Sequence, residues 1–290
     1  MSEEEQDSPR KIRLAKLIAG RGLASRREAE EWIREGRLSV NGETTTEPGT
    51  VVDPERDHVR LDGRRLPPEP PKVYYLMYKP RGFITGRRDP SGRKGVLDLV
   101  EDLPQRVEPV GRLDFDTEGA LILTNDGELA HKLTHPSTQV PRHYVAKVWR
   151  TPDEKTLLRI AKGVRLDDGP SGPCKVRVMK TTDEGNSWVE LTVTEGRNRL
   201  VRRLMQAVNH PVAKLRRLSF GTISIRGMER GQVRPLTSEE VSRLQDLAAG
   251  RAPSRAGHGF REKKGFAKAK PKIRRGTKLS LDKKPSKVKR

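Results

Sequence analysis

The chain has 290 residues, of which 60 are Lys or Arg and 39 are Asp or Glu, and its formal charge is +21. This charge favours nucleic acid as a partner, because dense positive charge binds phosphates strongly. Hydrophobic residues make up 32% of the sequence, and even with the 26 glycines the apolar share stays below the roughly 45–50% of a typical globular chain, so part of the sequence is expected to lie outside any core. A single cysteine, Cys174, excludes an internal disulfide framework and a cysteine-ligated zinc cluster, and it fits a reducing compartment.

The first predicted unit, residues 9–66, is a small module of two short helices and a small sheet. The stretch "LASRREAEEWI" contains a capping box, Ser25 with Glu28, ahead of an apolar helix face. The stretch "LSVNG" predicts a strand that enters an Asn-Gly turn. Basic side chains crowd the helical half, and we expect Arg26 and Arg27, at the entrance of the second helix, to bind RNA by its shape and backbone.

A proline-rich linker, residues 67–72, separates this module from a larger unit, residues 73–249. In the larger unit, "ALILT", "HYVAKVW" and "SWVELTV" predict strands. The stretch "TPDEKTLLRIAKG" predicts a helix with Thr151 as its N-cap, and an amphipathic helix is expected to begin near Leu200. Strands and helices without a regular βαβ rhythm predict an α+β fold with a mixed, largely antiparallel sheet flanked by helices.

The last segment, residues 250–290, is predicted to be a disordered basic tail. From Arg251 onward it holds 16 Lys or Arg against two acidic residues, and it lacks apolar periodicity. Two interpretations stay open for it: a solubilising extension without a specific role, and an arm that contacts RNA.

Several motifs are absent, and their absence narrows the chemistry. The sequence has no GxxxxGK[ST] loop, no GxGxxG after a strand and no HExxH, and its six histidines are scattered. ATP-driven, dinucleotide and zinc chemistry are therefore disfavoured, and we expect neither a cofactor nor a metal. The polar start "MSEEEQDSPR" and the lack of a long apolar stretch predict a cytoplasmic protein that does not enter a membrane.

Three acids stand within five residues of the stretch "VGRLDFDTEGALILTND", namely Asp114, Asp116 and Glu118. The spacing resembles the opening of a calcium loop, but the twelfth position holds Asn125 instead of a bidentate Glu. A turn with its acids facing water is the main alternative on local residues alone. Asp116 and Glu118 are expected to have structural roles.

The residues around Asp114 favour a chemical role for its carboxylate. Arg112 precedes it by two positions, and an arginine-dense stretch, "EGRNRLVRRL" at 195–204, opens a predicted helix. An arginine beside a carboxylate favours the ionised form and orients it. Such a carboxylate can act as a nucleophile or a base on a nucleotide held by the basic surface.

The motifs of this sequence resemble those of a known family. The stretch "RLAKLIAGRGLASRREAEEWIREGRLSVNG" is similar to an S4 RNA-binding domain. The stretches "MYKPRGFIT", "GRLDFDTEGALILTNDGELAHKLTHPS", "RHYVAKV" and "EGRNRLVRRLM" resemble, in that order, the motifs of the RsuA/RluB-type ribosomal pseudouridine synthases. The match covers roughly 10–248. The "EGRNR" form and the basic tail are more similar to the large-subunit RluB type than to the small-subunit RsuA type.

The resemblance implies roles for individual residues. Asp114 would be the catalytic aspartate, Arg202 its ion-pair partner, and Tyr144 the residue that packs against the flipped base and assists proton removal at C5. Arg112 would help to extrude the target uridine or fill its vacated place. The remaining residues expected to bind substrate RNA are Lys79, Arg197 and Arg203. For Arg197, Arg199 and Arg203, phosphate binding and a solvated helix face are equal alternatives.

The implied reaction fits the absence of cofactor motifs, because turning uridine into pseudouridine is an isomerisation that consumes nothing. The base must leave its stack, as for other base-modifying enzymes. The expected partner is ribosomal RNA, a structured stem-loop of 23S rRNA, free or in a pre-ribosomal particle, and the protein is expected to be a monomer. The alternatives are a non-catalytic rRNA-binding or ribosome-assembly protein, a 16S rRNA pseudouridine synthase, and a glycosylase that releases uracil.

Overall fold

The computed structural model describes residues 11–86 and 91–251, and the tail predicted for 250–290 lies outside these residues except for its first two positions. The chain divides into two compact units. Among the described residues, the first contains 11–73 together with 104–106 and 125–127, and the second contains the others.

The first unit has two short helices followed by a small antiparallel sheet. Its helices are α1 (Leu14–Gly20) and α2 (Arg26–Arg34), and its strands are β1 (Ile12–Arg13), β2 (Leu38–Val40), β3 (Glu43–Thr45), β4 (Val51–Val52), β5 (Val59–Leu61) and β6 (Arg64–Arg65). The sheet order is β3-β2-β5-β6, and β1 pairs with β4. Buried Leu14, Ile18, Ile33 and Leu38 join the helices to the sheet in one core cluster.

The predicted capping box and turn of this unit are confirmed. The Ser25 hydroxyl accepts a hydrogen bond from the Glu28 amide at 3.2 Å, and the Glu28 carboxylate accepts one from the Ser25 amide at 2.8 Å. At the β2–β3 turn, Asn41 and Gly42 have φ angles of 53° and 95°, which is the left-handed backbone that a two-residue hairpin turn requires.

The second unit is built on one mixed sheet. The strands of this unit are β7 (Tyr74–Lys79), β8 (Glu108–Pro109), β9 (Thr117–Thr124), β10 (Arg142–Val148), β11 (Arg165–Leu166), β12 (Gly169–Pro170), β13 (Lys175–Thr181), β14 (Ser187–Val193), β15 (Val212–Phe220), β16 (Ile223–Ser224) and β17 (Val233–Pro235). Of these, β11 and β12 form a separate two-stranded sheet. Within the described residues the main sheet order is β13-β14-β10-β15-β9-β7-β17, and β9 and β15 pair in parallel while the other pairs are antiparallel. The expected α+β fold with a mixed, largely antiparallel sheet is confirmed.

Helices pack against this sheet. They are α3 (Gly127–Thr134), α4 (Glu154–Lys162), α5 (Leu200–Ala207) and α6 (Ser238–Ala248), with 3-10 turns at Leu97–Leu99 and Pro136–Thr138. A core cluster brings Leu76 and Ile122 of the sheet together with Leu133 of α3 and Leu244 of α6. Among the helices that the structure describes, none is long and apolar enough to cross a bilayer.

The predicted N-cap of α4 is wrong by two residues. The helix begins at Glu154, and its cap is Asp153, whose carboxylate accepts a hydrogen bond from the Thr156 amide at 2.8 Å. Thr151 lies too far ahead of the first turn to reach that amide, whereas Asp153 is an equally favourable capping residue in the right position. The predicted helix end at Gly163 is confirmed.

A close backbone approach sets the register between β9 and β15. Gly119 pairs with Arg217, and a Cβ added to Gly119 would lie 2.1 Å from the Arg217 carbonyl oxygen. The φ angle of Gly119 is 127°, which side chains rarely tolerate. This contact holds the start of β9, and with it the preceding loop, against the middle of β15.

Candidate active site

A pocket of about 120 Å³ opens in the second unit, at the loop that precedes β9. Side chains from this loop, from β10 and β15, and from the segment before α5 line it. Those that bear on its chemistry are Arg112, Asp114, Tyr144, Arg199, Arg217 and Phe220. The structure therefore brings Arg112, Asp114 and Tyr144, which the sequence selected from distant motifs, around one cavity.

The backbone around Asp114 is held from two sides. On one side the Thr85 hydroxyl donates to the Leu113 carbonyl at 2.6 Å and accepts from the Leu113 amide at 3.1 Å. On the other side the Asp114 carbonyl accepts from the Thr117 amide at 3.0 Å. The Asp114 side chain is 26% exposed, so its carboxylate faces the pocket without being sealed from it.

Lys79 is the third support of this loop, and its predicted role in binding RNA is corrected. The side chain is fully buried, and its ammonium donates to the carbonyls of Pro80, Asp114 and Thr117 at 3.2, 3.0 and 2.9 Å. All three donors are thus used inside the protein and none reaches the surface. Burial lowers the pKa of Lys79 to about 8, although Asp114 and Asp116 act in the opposite direction.

Two arginines of the segment 199–202 face the acidic pair of the loop. Arg202 Nε lies 4.0 Å from Asp114 Oδ2, the outer limit of an ion pair, whereas Arg202 Nη2 lies 2.9 Å from Asp116 Oδ2. Arg199 Nη1 is nearer to Asp114, at 3.5 Å, and it lies 3.7 Å from Asp116. The pair expected between Arg202 and Asp114 is therefore long, and Asp116 is the closer partner of Arg202.

The contact of Arg199 with Asp114 was not predicted. Arg199 is the N-cap of α5 and has φ and ψ angles of 47° and 29°, a left-handed conformation that few residues other than glycine adopt. The available signal was its place inside the arginine-dense stretch before α5. The sequence pattern did not distinguish Arg199 from the neighbouring arginines. The reason is that the left-handed backbone at Arg199 sets the direction of each side chain.

Tyr144 lies on the pocket side of β10. Its strand alternates buried and half-buried residues, and Tyr144 is 9% exposed between its cross-strand partners Leu191 and Arg217. A ring in this position can pack against a flat ligand in the cavity.

The floor of the pocket is cationic, and we did not predict this property from the sequence. Arg142 donates to the Val140 and Thr194 carbonyls at 2.9 and 2.6 Å, and Arg217 donates to the Ala120 carbonyl at 2.8 Å. Both guanidinium groups stack on Phe220, at 5.2 and 5.1 Å from its ring centre. Burial, reinforced by the nearby charge of Arg217, lowers the pKa of Arg142. The signal was an arginine at a buried position of an alternating strand.

Arg197 and Arg203 both contact Asp168, in the two-residue turn between β11 and β12. Their guanidinium groups are thus paired with a protein carboxylate, a contact that neither the RNA-binding nor the solvated-helix interpretation had included. Arg26 and Arg27, in the first unit, are exposed on the first turn of α2, and neither has a side-chain hydrogen bond or ion pair among the described residues.

Glu118 has a structural role, as expected, although through ion pairs and not through a turn. It is buried, and it pairs with Arg216 at 2.6 Å and Arg230 at 2.7 Å. Burial acts to raise the pKa of Glu118, but the hydrogen bonds and charges of Arg230 and Arg216 together outweigh it and lower this pKa. Asp114 is therefore the acid of the run that lines the pocket.

Within residues 11–86 and 91–251, no group of three His, Cys, Asp or Glu side chains could hold a metal ion.

A carboxylate at the edge of a small pocket with a cationic floor and an aromatic wall can act on an electrophilic carbon of a flat, oxygen-bearing ligand. Arg199 and Arg202 face this carboxylate at 3.5 and 4.0 Å, and the held backbone fixes its direction. A ligand with carbonyl oxygens would find the guanidinium groups of Arg142 and Arg217 beneath it.

Comparison with known proteins gives two family matches. Residues 73–207 match the model of the RNA pseudouridylate synthases, and residues 12–58 match that of the S4 domain. The ribosomal large subunit pseudouridine synthase B of Bacillus subtilis is 45% identical over 81% of this chain and 96% of its own length. Its namesake from Yersinia pestis is 38% identical over 81% of this chain and 76% of its own.

A solved structure is similar over the same region. A pseudouridylate synthase crystal structure covers 80% of this chain and 99% of its own, with 28% identity and a TM-score of 0.58. An RNA pseudouridine synthase of Aquifex aeolicus, described as uncharacterized, is 42% identical over 80% of this chain and 93% of its own. The similarity therefore spans both units.

Proposed function

The chain belongs to the RNA pseudouridylate synthase family, with an S4 domain ahead of the synthase domain, and on this premise we propose that it isomerises one uridine of 23S ribosomal RNA to pseudouridine. The proposal rests on the position of the Asp114 carboxylate. Thr85 and Lys79 hold the backbone of its loop at the pocket, and Arg199 and Arg202 face the carboxylate. Relatives named for the large ribosomal subunit support the choice of RNA.

In the proposed reaction the target uridine leaves its stack and enters the pocket. The C1′–N1 bond breaks while Asp114 stabilises or traps the sugar carbon. The uracil turns within the cavity, and a C1′–C5 bond forms as the carboxylate of Asp114, if bonded to C1′, is released. The proton on C5 is then lost while N1 gains one. All atoms of uridine are retained, so this chemistry needs no external reactant.

The other pocket residues are assigned roles that fit their positions. Tyr144 packs on the flipped base and assists loss of the C5 proton, and Arg112, at the pocket wall, fills the place that the uridine vacates. Asp116 holds Arg202, and through it the position of the catalytic carboxylate. Arg26 and Arg27, exposed in the first unit, bind phosphates of a structured stem-loop.

Pseudouridine mapping tests the proposal. Ribosomal RNA is mapped from cells with and without this gene, and from the deletion strain complemented with the wild-type or the Asp114→Asn protein. We expect one 23S pseudouridine to vanish on deletion and to return only with the wild type. Loss of a 16S pseudouridine instead would show that the subunit is wrong, and an unchanged map of both RNAs would refute the function.

A second prediction concerns Arg199, which lies 3.5 Å from the Asp114 carboxylate. Arg199→Gln should lower kcat about tenfold and change RNA affinity much less, because it removes a charge-assisted interaction that orients the catalytic group. Arg199→Lys should recover part of the rate. Single-turnover kinetics measure the effect, and Arg159→Gln, exposed on α4, is the matched control. Equal rates for Arg199→Gln and Arg159→Gln would contradict the assigned role.

A further inference from the structure

One charged cluster at the rim of the pocket has a geometry that suits a ligand. The Asp168 carboxylate lies between two guanidinium groups: Arg197 Nε and Arg203 Nη1 donate to its Oδ2 at 3.2 and 3.0 Å, and the Nη2 atoms of both arginines contact its Oδ1. Two arginine forks that converge on one pair of oxygens match the oxygens of a phosphodiester as well as those of a carboxylate.

The Arg197 edge that faces Asp168 would stay in place without it. Arg197 also donates to the carbonyls of Pro170 and Gly169 at 2.8 and 3.0 Å, and Arg203 donates to the Asn198 carbonyl at 3.4 Å. Glu195 lies 3.5 Å from the far side of Arg197. These contacts hold the Arg197 guanidinium independently of Asp168, whereas Arg203 keeps one long hydrogen bond, so a replacement anion would meet an Arg197 fork that is already oriented.

Asp168, by contrast, is exposed enough for its carboxylate to exchange the two arginines for water when an anion replaces it. Its side chain is 51% exposed, while those of Arg197 and Arg203 are 23% and 24% exposed. It stands in a two-residue hairpin turn, where rotation of one side-chain torsion carries the carboxylate into water. Water therefore solvates the carboxylate as soon as it leaves the two arginines.

The cluster adjoins the pocket that holds Asp114. Arg197 is itself part of the pocket wall, and the same short segment contributes Glu195 and Arg199. A uridine that enters the pocket carries a phosphate on each side, so the RNA brings phosphates to the pocket that Arg197 helps to line.

Resting on the proposed function, we propose that Arg197 and Arg203 form a phosphate site for the RNA backbone beside the flipped uridine, and that Asp168 occupies this site in the free protein until a phosphate displaces it. Asp168 thereby acts as an internal competitor. It weakens binding of any RNA that does not place a phosphate at the rim.

The test compares affinities for 23S rRNA transcribed in vitro. Asp168→Asn should bind about threefold to tenfold more tightly than wild type, because the competing charge is gone while the side-chain size is kept. Asp167→Asn removes the same charge from the neighbouring turn residue and should change affinity less than twofold. Asp168→Glu keeps a carboxylate at the site and should bind no more tightly than wild type.

Removal of the site itself completes the test. When Arg197→Gln and Arg203→Gln are added to Asp168→Asn, the gain in affinity should vanish. The slope of log Kd against log salt concentration should also fall, by roughly 0.7–0.9 for each phosphate that the protein no longer neutralises. Equal affinity of Asp168→Asn and Asp167→Asn, or a gain that survives removal of both arginines, overturns the inference.

Conversion of uridine by the wild type is measured on the same RNA. If the wild type converts its target but Asp168→Asn shows no gain, the phosphate site alone is refuted. If the wild type does not convert, the proposed function fails.

Discussion

Asp114→Asn should abolish pseudouridine formation, with a loss of at least about 10³-fold in single-turnover rate, and should leave RNA affinity unchanged or slightly higher. The amide keeps the size of the side chain and leaves the hydrogen bonds of the loop backbone in place. It removes the negatively charged oxygen that acts on the sugar carbon in the proposed reaction. Affinity does not fall, because Arg199 and Arg202 lose an internal counter-charge and become more available to a polyanion.

The matched control is Asp116→Asn, the same change two residues away. Asp116 lies 2.9 Å from Arg202, and its effect on the reaction is indirect, so its loss in rate should be much smaller. The two variants and the wild type are compared at saturating protein, by the fraction of target uridine converted with time. A rate for Asp114→Asn within tenfold of wild type would remove Asp114 from the chemistry.

Lys79→Met is expected to have the second largest effect, a fall in kcat of about 10²-fold together with a lower free energy of unfolding by about 2 kcal/mol. Methionine fills the space but donates no hydrogen bond, so the carbonyls of Pro80, Asp114 and Thr117 lose their shared donor. The Asp114 backbone is then held only by the remaining hydrogen bonds. Lys214→Met, on an exposed position of β15, should change stability by less than about 0.5 kcal/mol.

Lys79 also predicts a pH dependence with a definite sign. Its pKa is about 8 in the folded protein and about 10.4 in the unfolded chain, so between these values the unfolded chain holds one more proton. The free energy of unfolding of the wild type, relative to Lys79→Met, should therefore rise as pH increases from about 8 to about 10.5, by about 2–3 kcal/mol. Urea denaturation across this window measures the difference, and a constant difference would show that the pKa of Lys79 is not lowered.

Local patterns predicted the elements well where one stretch of chain decides the outcome. The capping box of Ser25 and Glu28 and the half-buried alternation of β14 follow from neighbouring residues and are confirmed. The N-cap of α4 was misplaced because Thr151 and Asp153 are both good caps, and only the backbone direction selects between them.

The site was predictable in part. The motif around Asp114 and its resemblance to a family indicated the carboxylate and Tyr144 before any coordinates. The burial of Lys79 was not predictable, because a lysine in a basic chain is usually exposed and nothing in its own strand shows that three carbonyls will surround it.

The sequence by itself predicted a polyanion as the partner, two structured units, and one acidic loop among arginines as the candidate chemical centre. Tertiary structure decided which arginine faces which acid. Arg199 lies nearest to Asp114, and Arg202 lies nearest to Asp116. Arg197 and Arg203 both pair with Asp168. The reason is physical, since charge interactions depend on ångström distances and on burial. Those distances are set by long-range pairing, above all by the parallel pairing of β9 with β15 at Gly119.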